Sequence, residues 1–429
     1  MYKRQFPYLA AKYGGGIFLL VYIILALTFG YTLIMAETSL GRMTRKSPVG
    51  AFESFGNSRF ISIGGWINAI IPILIVPYYS VIGGWVIKYL IEYFAGHSKT
   101  LAGDAYFTTF ISNGWSTEIC FIIFTLFTLG IIYAGVRNGI ERVSKFMMPI
   151  LIVLSLIIAV YSVTRPGAIE GVKYFLVPNF DHFSWMTVVS AMGQMFYSLS
   201  IAMGILITFG SYMKKDTSIE KSTENVEIFD TAIAIMAGLM IIPAVFAFSG
   251  GNAETLKSGP ALMFITIPKV FANMGFGTAI GIVFFLLVLF AAVTSSIALT
   301  ESAVSTFEDE LHWSRKKSTV FMGMVMLLLG TLSCLGYGPL ANFKILGMQF
   351  LDFFDFITNS VMMPIAAIAT CLLVSKVVGV DKIEEEIKKD GQAFRRKKIF
   401  CFMIKYLCPL FAAIILISSV ANAFGIITM

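Results

Sequence analysis

A short polar run interrupts one of the longest apolar stretches of the chain, residues 185–212. Two glycines bound this run, which contains an amide and two hydroxyls: Gly193, Gln194, Ser198, Ser200 and Gly204. Backbone that leaves the helix at mid-membrane depth is tolerated only where it lines a cavity, and there it offers carbonyl oxygens and half-helix ends to a ligand. The run therefore predicts a discontinuous helix at a ligand site. The alternative is that both hydroxyls bond to their own helix backbone.

A carboxylate and a pair of hydroxyls lie in two other apolar stretches. Asp230 falls within 228–249, and an ionisable residue inside a membrane is costly enough to indicate function. Ala291, Thr294 and Ser295 are spaced i, i+3 and i+4, so one helix face brings together a carbonyl and two hydroxyls. Each has a structural alternative. The carboxylate could cap a helix at the membrane interface, and the hydroxyls could form hydrogen bonds to neighbouring helices.

Long helices are needed to position these residues, and the composition provides for them. Apolar residues make up 57% of the 429 residues and charged residues 13%, and the mean hydropathy is +0.82. These values exclude a soluble fold, and the long uncharged runs favour helices over a barrel. We predict ten spans, near 16–41, 60–95, 117–134, 143–163, 185–212, 228–249, 276–307, 319–336, 346–375 and 399–426.

The distribution of charge indicates membrane topology. The net charge is +7, and most basic residues fall in alternate loops, which the positive-inside rule places in the cytoplasm with both chain ends outside. This placement does not favour a nucleic-acid partner. The charged stretch 376–398 is predicted to be an amphipathic cytoplasmic linker, followed by an extra C-terminal helix at 399–426.

The sequence does not predict an enzyme or a metal centre. His97, His182 and His312 lie in predicted loops without the spacing of metal ligands or a nucleophile beside them. The five cysteines lack CxxC spacing and are interpreted as packing residues.

Five motifs follow one another over nearly the whole chain. They are Phe6-Pro7-Tyr8-Leu9 with Gly14-Gly15-Gly16, Glu37 and Gly41-Arg42 ahead of Pro48-Val49-Gly50-Ala51-Phe52, Gly193-Gln194 through Gly204, Thr294-Ser295-Ser296, and Glu308-Asp309-Glu310-Leu311. Together they resemble the neurotransmitter:sodium symporter family, and more closely its prokaryotic members such as bacterial leucine and tyrosine transporters. The resemblance implies an all-α polytopic membrane protein with a five-plus-five inverted-repeat core, broken helices and alternating access. A single transporter domain, 1–429, would then contain the first repeat in 1–163 (helices 1b to 5) and the second in 185–375 (helices 6 to 10).

The resemblance also implies two sodium ions and no organic cofactor. The positions that match the first sodium site are Ser198 and Asp230. Those that match the second are Ala291, Thr294 and Ser295. The family's chloride-site positions correspond to Tyr22, Gln194 and Ser198. A carboxylate at Asp230 is expected to make chloride unnecessary.

The substrate and gate positions are implied in the same way. The residues expected to contact substrate are Ile75, Tyr79, Tyr197, Ser200, Met203 and Leu299. A flexible thioether at Met203 favours a hydrophobic or aromatic amino acid. The extracellular gate corresponds to Gln5 and Asp355, with Gln5 where the family has an arginine, and the cytoplasmic gate to Tyr212 and Asp309.

These positions predict sodium-coupled symport of an amino acid across a cell membrane, the bacterial inner membrane. The expected partners are the amino acid, sodium, the lipid bilayer and a second copy of the chain in a homodimer. Residues 1–4 fit no part of the family pattern, so the first half-helix is expected to be missing, which leaves open whether this chain transports by itself. The alternatives are a proton-coupled permease and a membrane protein that does not transport.

Overall fold

Helices make up nearly all of the part of the chain that the structure describes. The computed structural model describes residues 5–56, 58–249 and 260–426. In this part, nine helices are long and apolar enough to cross a membrane. With four shorter helices that matter below, they are α1 (Gln5–Lys12), α2 (Gly16–Thr44), α3 (Arg59–Phe94), α4 (Gly114–Tyr133), α5 (Val136–Val163), α6 (Trp185–Ser198), α7 (Ile205–Tyr212), α8 (Ile219–Ser249), α9 (Gly277–Leu311), α10 (Arg315–Leu335), α11 (Phe350–Val378), α12 (Val380–Ile387) and α13 (Lys397–Ala423). The connections contain further short helices at Pro48–Glu53, Ser98–Leu101, Tyr106–Ser112, Ala168–Leu176 and Leu262–Ala272.

The predicted break in 185–212 is present. Helix α6 ends at Ser198 and α7 begins at Ile205, so this stretch is two half-helices rather than one span. Between them the backbone adopts left-handed conformations at Ser200 (φ 55°), Ala202 (φ 58°) and Gly204 (φ 68°). A non-glycine residue in this region costs roughly 1–2 kcal/mol, so surrounding contacts must hold the segment in place.

Several helices extend beyond the spans that uncharged runs predicted. Helix α8 begins at Ile219 instead of 228, and α5 begins at Val136 instead of 143. The added turns carry charged side chains such as Glu220 and Arg142. An uncharged run marks only the part of a helix at lipid depth, whereas the backbone continues past the headgroups. Most of the stretches 276–307 and 346–375 lies in α9 and α11, which begin at Gly277 and Phe350, and both helices are continuous.

Two groups of helices form the core around the break. Helix α3 packs against α9, α4 and α10, and α7 packs against α2. The second contact depends on small residues, because a Cβ added to Gly41 would meet the carbonyl of Ile207 and one added to Gly210 would meet the backbone of Thr38. Phe6 of α1 is fully buried, and its ring lies edge-on to Tyr22 at a centroid distance of 5.0 Å. This contact positions α1 against α2.

Candidate functional site

Two hydroxyls from different helices meet the carboxylate of Asp230. Tyr22 Oη of α2 donates to Asp230 Oδ2 at 2.9 Å, and Ser198 Oγ at the end of α6 lies 2.9 and 2.8 Å from the two carboxylate oxygens. Asp230 is 6% exposed, so its charge is held by these donors instead of by bulk water. Gln194, one turn before Ser198 on α6, is also buried. The structure therefore brings together Tyr22, Ser198 and Asp230, which the sequence placed in one site.

A second buried carboxylate holds the unwound segment. Glu37 of α2 is fully buried, and its Oε1 accepts a hydrogen bond from the backbone N–H of Ala202 at 2.9 Å. Ala202 is one of the left-handed residues, so this bond satisfies a donor that regular helical pairing does not. Glu37 thus fixes the shape of the backbone between α6 and α7.

The predicted second sodium site lies on α9. Thr294 Oγ1 donates to the carbonyls of Phe290 at 3.0 Å and Ala291 at 3.1 Å. One helical turn therefore brings the predicted carbonyl and hydroxyl ligands side by side. Thr294 is half-buried and Ser295 is exposed, so neither hydroxyl is sealed in the packed core. Carbonyl and hydroxyl oxygens suit a hard monovalent cation.

The predicted substrate residues come from α3, α6, α9 and the unwound segment. Ile75 and Tyr79 of α3, Met203 and Leu299 are at most 5% exposed, whereas Tyr197 is half-buried. Ser200, in the unwound segment, is also half-buried. Ile75, Met203 and Leu299 are thus buried apolar side chains.

A cavity of about 280 Å³ opens beside this region, between α1, α6, α11 and α13. Of the predicted site residues that the structure describes, Gln194 and Tyr197 line it. Its other lining residues are Tyr8, Leu9, Ser190, Gly193, Phe196, Asn359, Ser360, Pro364, Ile415, Ser419 and Asn422. Its lining mixes polar and apolar residues next to the break.

Asp355, the acid predicted for the outer gate, is held by its own helix. Asp355 Oδ1 accepts from Asn359 Nδ2 at 2.6 Å, and the same amide donates to Tyr78 Oη of α3 at 3.1 Å. This short chain of bonds links α11 to α3. The side chain of Gln5 lies outside the described residues, so the expected pairing with Asp355 stays a prediction.

The two predicted inner-gate residues have different partners. Tyr212 Oη donates to Glu301 Oε1 at 2.8 Å, while Asp309 Oδ2 accepts from the backbone N–H of Ser47 at 2.5 Å. Glu301 is fully buried and receives two bonds from Arg315, at 3.1 and 2.5 Å. Glu301 therefore joins α7 and α10 to α9 through Tyr212 and Arg315, whereas Asp309 binds the backbone ahead of the helix Pro48–Glu53.

We expect Glu301→Gln to lower the free energy of unfolding by about 1–3 kcal/mol. Removing one partner of a buried ion pair leaves the other charge uncompensated, and the 22% exposure of the Arg315 side chain moderates the loss. Thermal denaturation in detergent measures the change. Glu308→Gln is the matched control, since Glu308 lies 3.5 Å from the same arginine but is itself 26% exposed. Equal losses in both variants would contradict a central role for Glu301.

Sequence reasoning missed two carboxylates, Glu37 and Glu301. Both lie inside long apolar helices, and both are fully buried. The rule that singled out Asp230, that an intramembrane acid indicates function, applies equally to them. Glu37 lies within a motif and Glu301 lies near the end of its apolar stretch, so neither interrupts the middle of an uncharged run.

Comparison with known proteins gives a consistent result along the chain. The family model described as "Sodium:neurotransmitter symporter family" matches residues 4–121 and 107–426. A sodium-dependent transporter of Bacillus subtilis, YhdH, is 32% identical over 427 residues, covering 99% of this chain and 93% of the relative. A sodium-dependent transporter of Haemophilus influenzae is 30% identical, covering 97% and 93%.

A solved structure agrees with this fold. The crystal structure of MhsT in complex with L-phenylalanine superposes with a TM-score of 0.85 at 32% identity, covering 96% of this chain and 94% of MhsT. The broken helix, the buried acids and the similarity over nearly the full length of this chain and its relatives have one common explanation. The chain belongs to the sodium:neurotransmitter symporter family and is a multi-pass, sodium-dependent membrane transporter.

Proposed function

We propose that this transporter couples the entry of sodium to the uptake of a hydrophobic or aromatic amino acid, without a need for chloride. The observation that carries the proposal is the carboxylate of Asp230, held by Tyr22 and Ser198 at the edge of the unwound segment. A fixed negative charge at this position favours a cation and supplies the charge that an added anion would otherwise provide.

The donor set fits sodium as a co-transported substrate. Asp230 and Ser198 offer carboxylate and hydroxyl oxygens, and on α9 Ala291 and Thr294 offer a carbonyl and a hydroxyl. All are hard oxygen ligands, and none is a soft sulfur or imidazole ligand. We assign the first group to one sodium ion and the second, with Ser295, to another.

The apolar side chains at three of the predicted substrate positions support a hydrophobic or aromatic amino acid as the substrate. An amino acid carries a carboxylate and an amine, which the unwound backbone and Tyr79 can bind, and a side chain that must fit between Ile75, Met203 and Leu299. Burying an apolar side chain against these residues is favourable by about 25 cal/mol per Å². The relative whose structure contains L-phenylalanine supports the same choice. The membrane is assigned as the plasma membrane, a bacterial inner membrane.

Uptake of radiolabelled L-phenylalanine into proteoliposomes tests the proposal. We expect accumulation with an inward sodium gradient, little with lithium or choline, and no loss when gluconate replaces chloride. Unlabelled leucine and tyrosine should compete, whereas glutamate and lysine should not. Uptake driven by a proton gradient in choline would instead support a proton-coupled permease, and an absence of amino-acid binding would indicate a protein that does not transport.

A further inference from the structure

The segment between α11 and α13 lies across the cytoplasmic ends of other helices. It contains α12, whose Val380, Ile383 and Ile387 are buried, and Phe394 beyond it is 8% exposed. The opposite face of α12 carries exposed residues such as Lys382. The segment, residues 379–396, is named here the linker. Its apolar face packs on the protein, so the linker is a structural part of the inner surface.

One buried arginine joins the linker to two other segments. Arg42, near the end of α2, donates through Nε to Glu386 Oε1 at 2.7 Å and through Nη2 to the carbonyl of Glu386. Its Nη1 donates to the carbonyl of Thr217 at 2.6 Å, in the turn between α7 and α8. The side chains of Arg42 and Glu386 are 0% and 3% exposed. A planar guanidinium with several bonds in a dry site fixes the relative position of all three segments.

A second junction fastens the C-terminal end of the linker to α8. Glu220 accepts from the backbone N–H of Arg395 at 2.9 Å and of Arg396 at 3.3 Å, and from Tyr31 Oη of α2 at 3.0 Å. The guanidinium of Arg396 bonds to Glu227 at 3.0 Å and lies 4.6 Å from the ring centroid of Tyr31. The linker is thus tied to α2 and the α7–α8 turn at Glu386, and to α2 and α8 at its C-terminal end, by charged groups in largely buried positions.

The two junctions lie close to the residues that shape the site. Arg42 and Glu37 share α2 and are separated by about 7–8 Å along the axis, at 1.5 Å per residue. Glu227 and Asp230 share α8 and are less than one turn apart. A helix is stiff over such lengths, so a shift at a junction moves the corresponding carboxylate with it.

We propose that the linker is a cytoplasmic clasp that holds α2, the α7–α8 turn and α8 in register, and that Arg42 and Glu386 are positioning residues for the site. With the clasp closed, Glu37 keeps its bond to Ala202 and Asp230 stays beside Ser198. With the clasp released, α2 and α8 move independently, and the unwound segment loses its fixed shape. The measurement of sodium dependence rests on the proposed function, whereas the measurement of hydrogen–deuterium exchange does not.

Hydrogen–deuterium exchange on the full chain tests the clasp directly. We expect Glu386→Gln to raise amide exchange by about tenfold in two places, the turn 213–218 and the unwound segment 199–204. Glu386→Asp, which keeps the charge, should restore most of the protection. Arg396→Gln, at the second junction, should raise exchange in 199–204 as well and serves if Glu386→Gln does not fold.

Glu384→Gln is the matched control on the same helix. Glu384 is bonded to Lys388 at 2.7 Å and Lys397 at 2.5 Å, and neither residue lies on α2 or α8. Hydrogen bonds from Lys388 and then Lys397 lower the pKa of Glu384, so this variant also removes a negative charge. Exchange in both segments should stay at the wild-type value.

Sodium dependence is the second measurement. Glu386→Gln should raise the sodium concentration for half-maximal uptake by about tenfold with a smaller change in maximal rate, whereas Glu384→Gln should not. Unchanged exchange in Glu386→Gln would overturn the clasp. Raised exchange at 213–218 with unchanged exchange at 199–204 would overturn the positioning role. If the wild type shows no sodium-driven uptake, the proposed function fails while the exchange result still decides the clasp.

Discussion

Asp230→Asn should reduce sodium-driven uptake in chloride-free buffer by about a hundredfold, and added chloride should restore a large part of it. The change keeps the shape of the side chain and removes only its charge. At an effective dielectric of about 20, a unit charge roughly 4 Å from a cation contributes about 4 kcal/mol. A hundredfold loss corresponds to about 2.7 kcal/mol, within that value.

Added chloride is expected to restore uptake in this variant because the hydrogen-bond donors around residue 230 remain. Tyr22 and Ser198, which donate to Asp230 in the wild type, would then face a neutral amide and could bind an anion. Uptake assays in chloride and gluconate buffers measure the difference. Asp352→Asn is the matched control, since Asp352 also binds a tyrosine hydroxyl, that of Tyr337 at 3.1 Å, but at an exposed outer position. Full activity of Asp230→Asn without chloride would show that its charge is not required.

Glu37→Ala should abolish uptake and lower the free energy of unfolding by about 1–3 kcal/mol. The substitution removes the acceptor of the Ala202 N–H, and a buried donor left without a partner costs this amount. The left-handed conformations at Ser200 and Ala202 add to the effect, because they persist only while their surroundings hold them. Thermal denaturation and uptake from one preparation measure both losses.

Glu37→Gln separates the hydrogen bond from the charge. A glutamine keeps an acceptor oxygen, so it should retain most of the stability that alanine loses. Thr32→Ala on the same helix is the control, because Thr32 is also fully buried and its hydroxyl bonds within α2, to the carbonyl of Thr28 at 2.7 Å. If Glu37→Ala is as stable and active as this control, Glu37 does not hold the unwound segment.

Much of the fold follows from local sequence. The apolar runs locate the membrane-crossing helices because each helix satisfies its backbone within itself, whatever its neighbours are. The break at 199–204 is also local, since glycines and hydroxyls at mid-membrane depth disfavour a continuous helix. Helix ends were less predictable. Helix α8 begins at Ile219, ahead of its apolar run, because charged residues end an apolar run without interrupting a helix.

The sequence by itself determined the helical membrane fold, the position of the broken helix and, through motif resemblance, the set of candidate site residues. Only the tertiary structure decided which of them meet. Tyr22 and Asp230 are 208 residues apart, and Arg42 and Glu386 are 344 apart, yet each pair forms a hydrogen bond. It also decided that Tyr212 binds Glu301 and that Glu37 holds Ala202. The physical reason is that helix formation depends on neighbours along the chain, whereas these contacts depend on how whole helices pack, which no local pattern encodes.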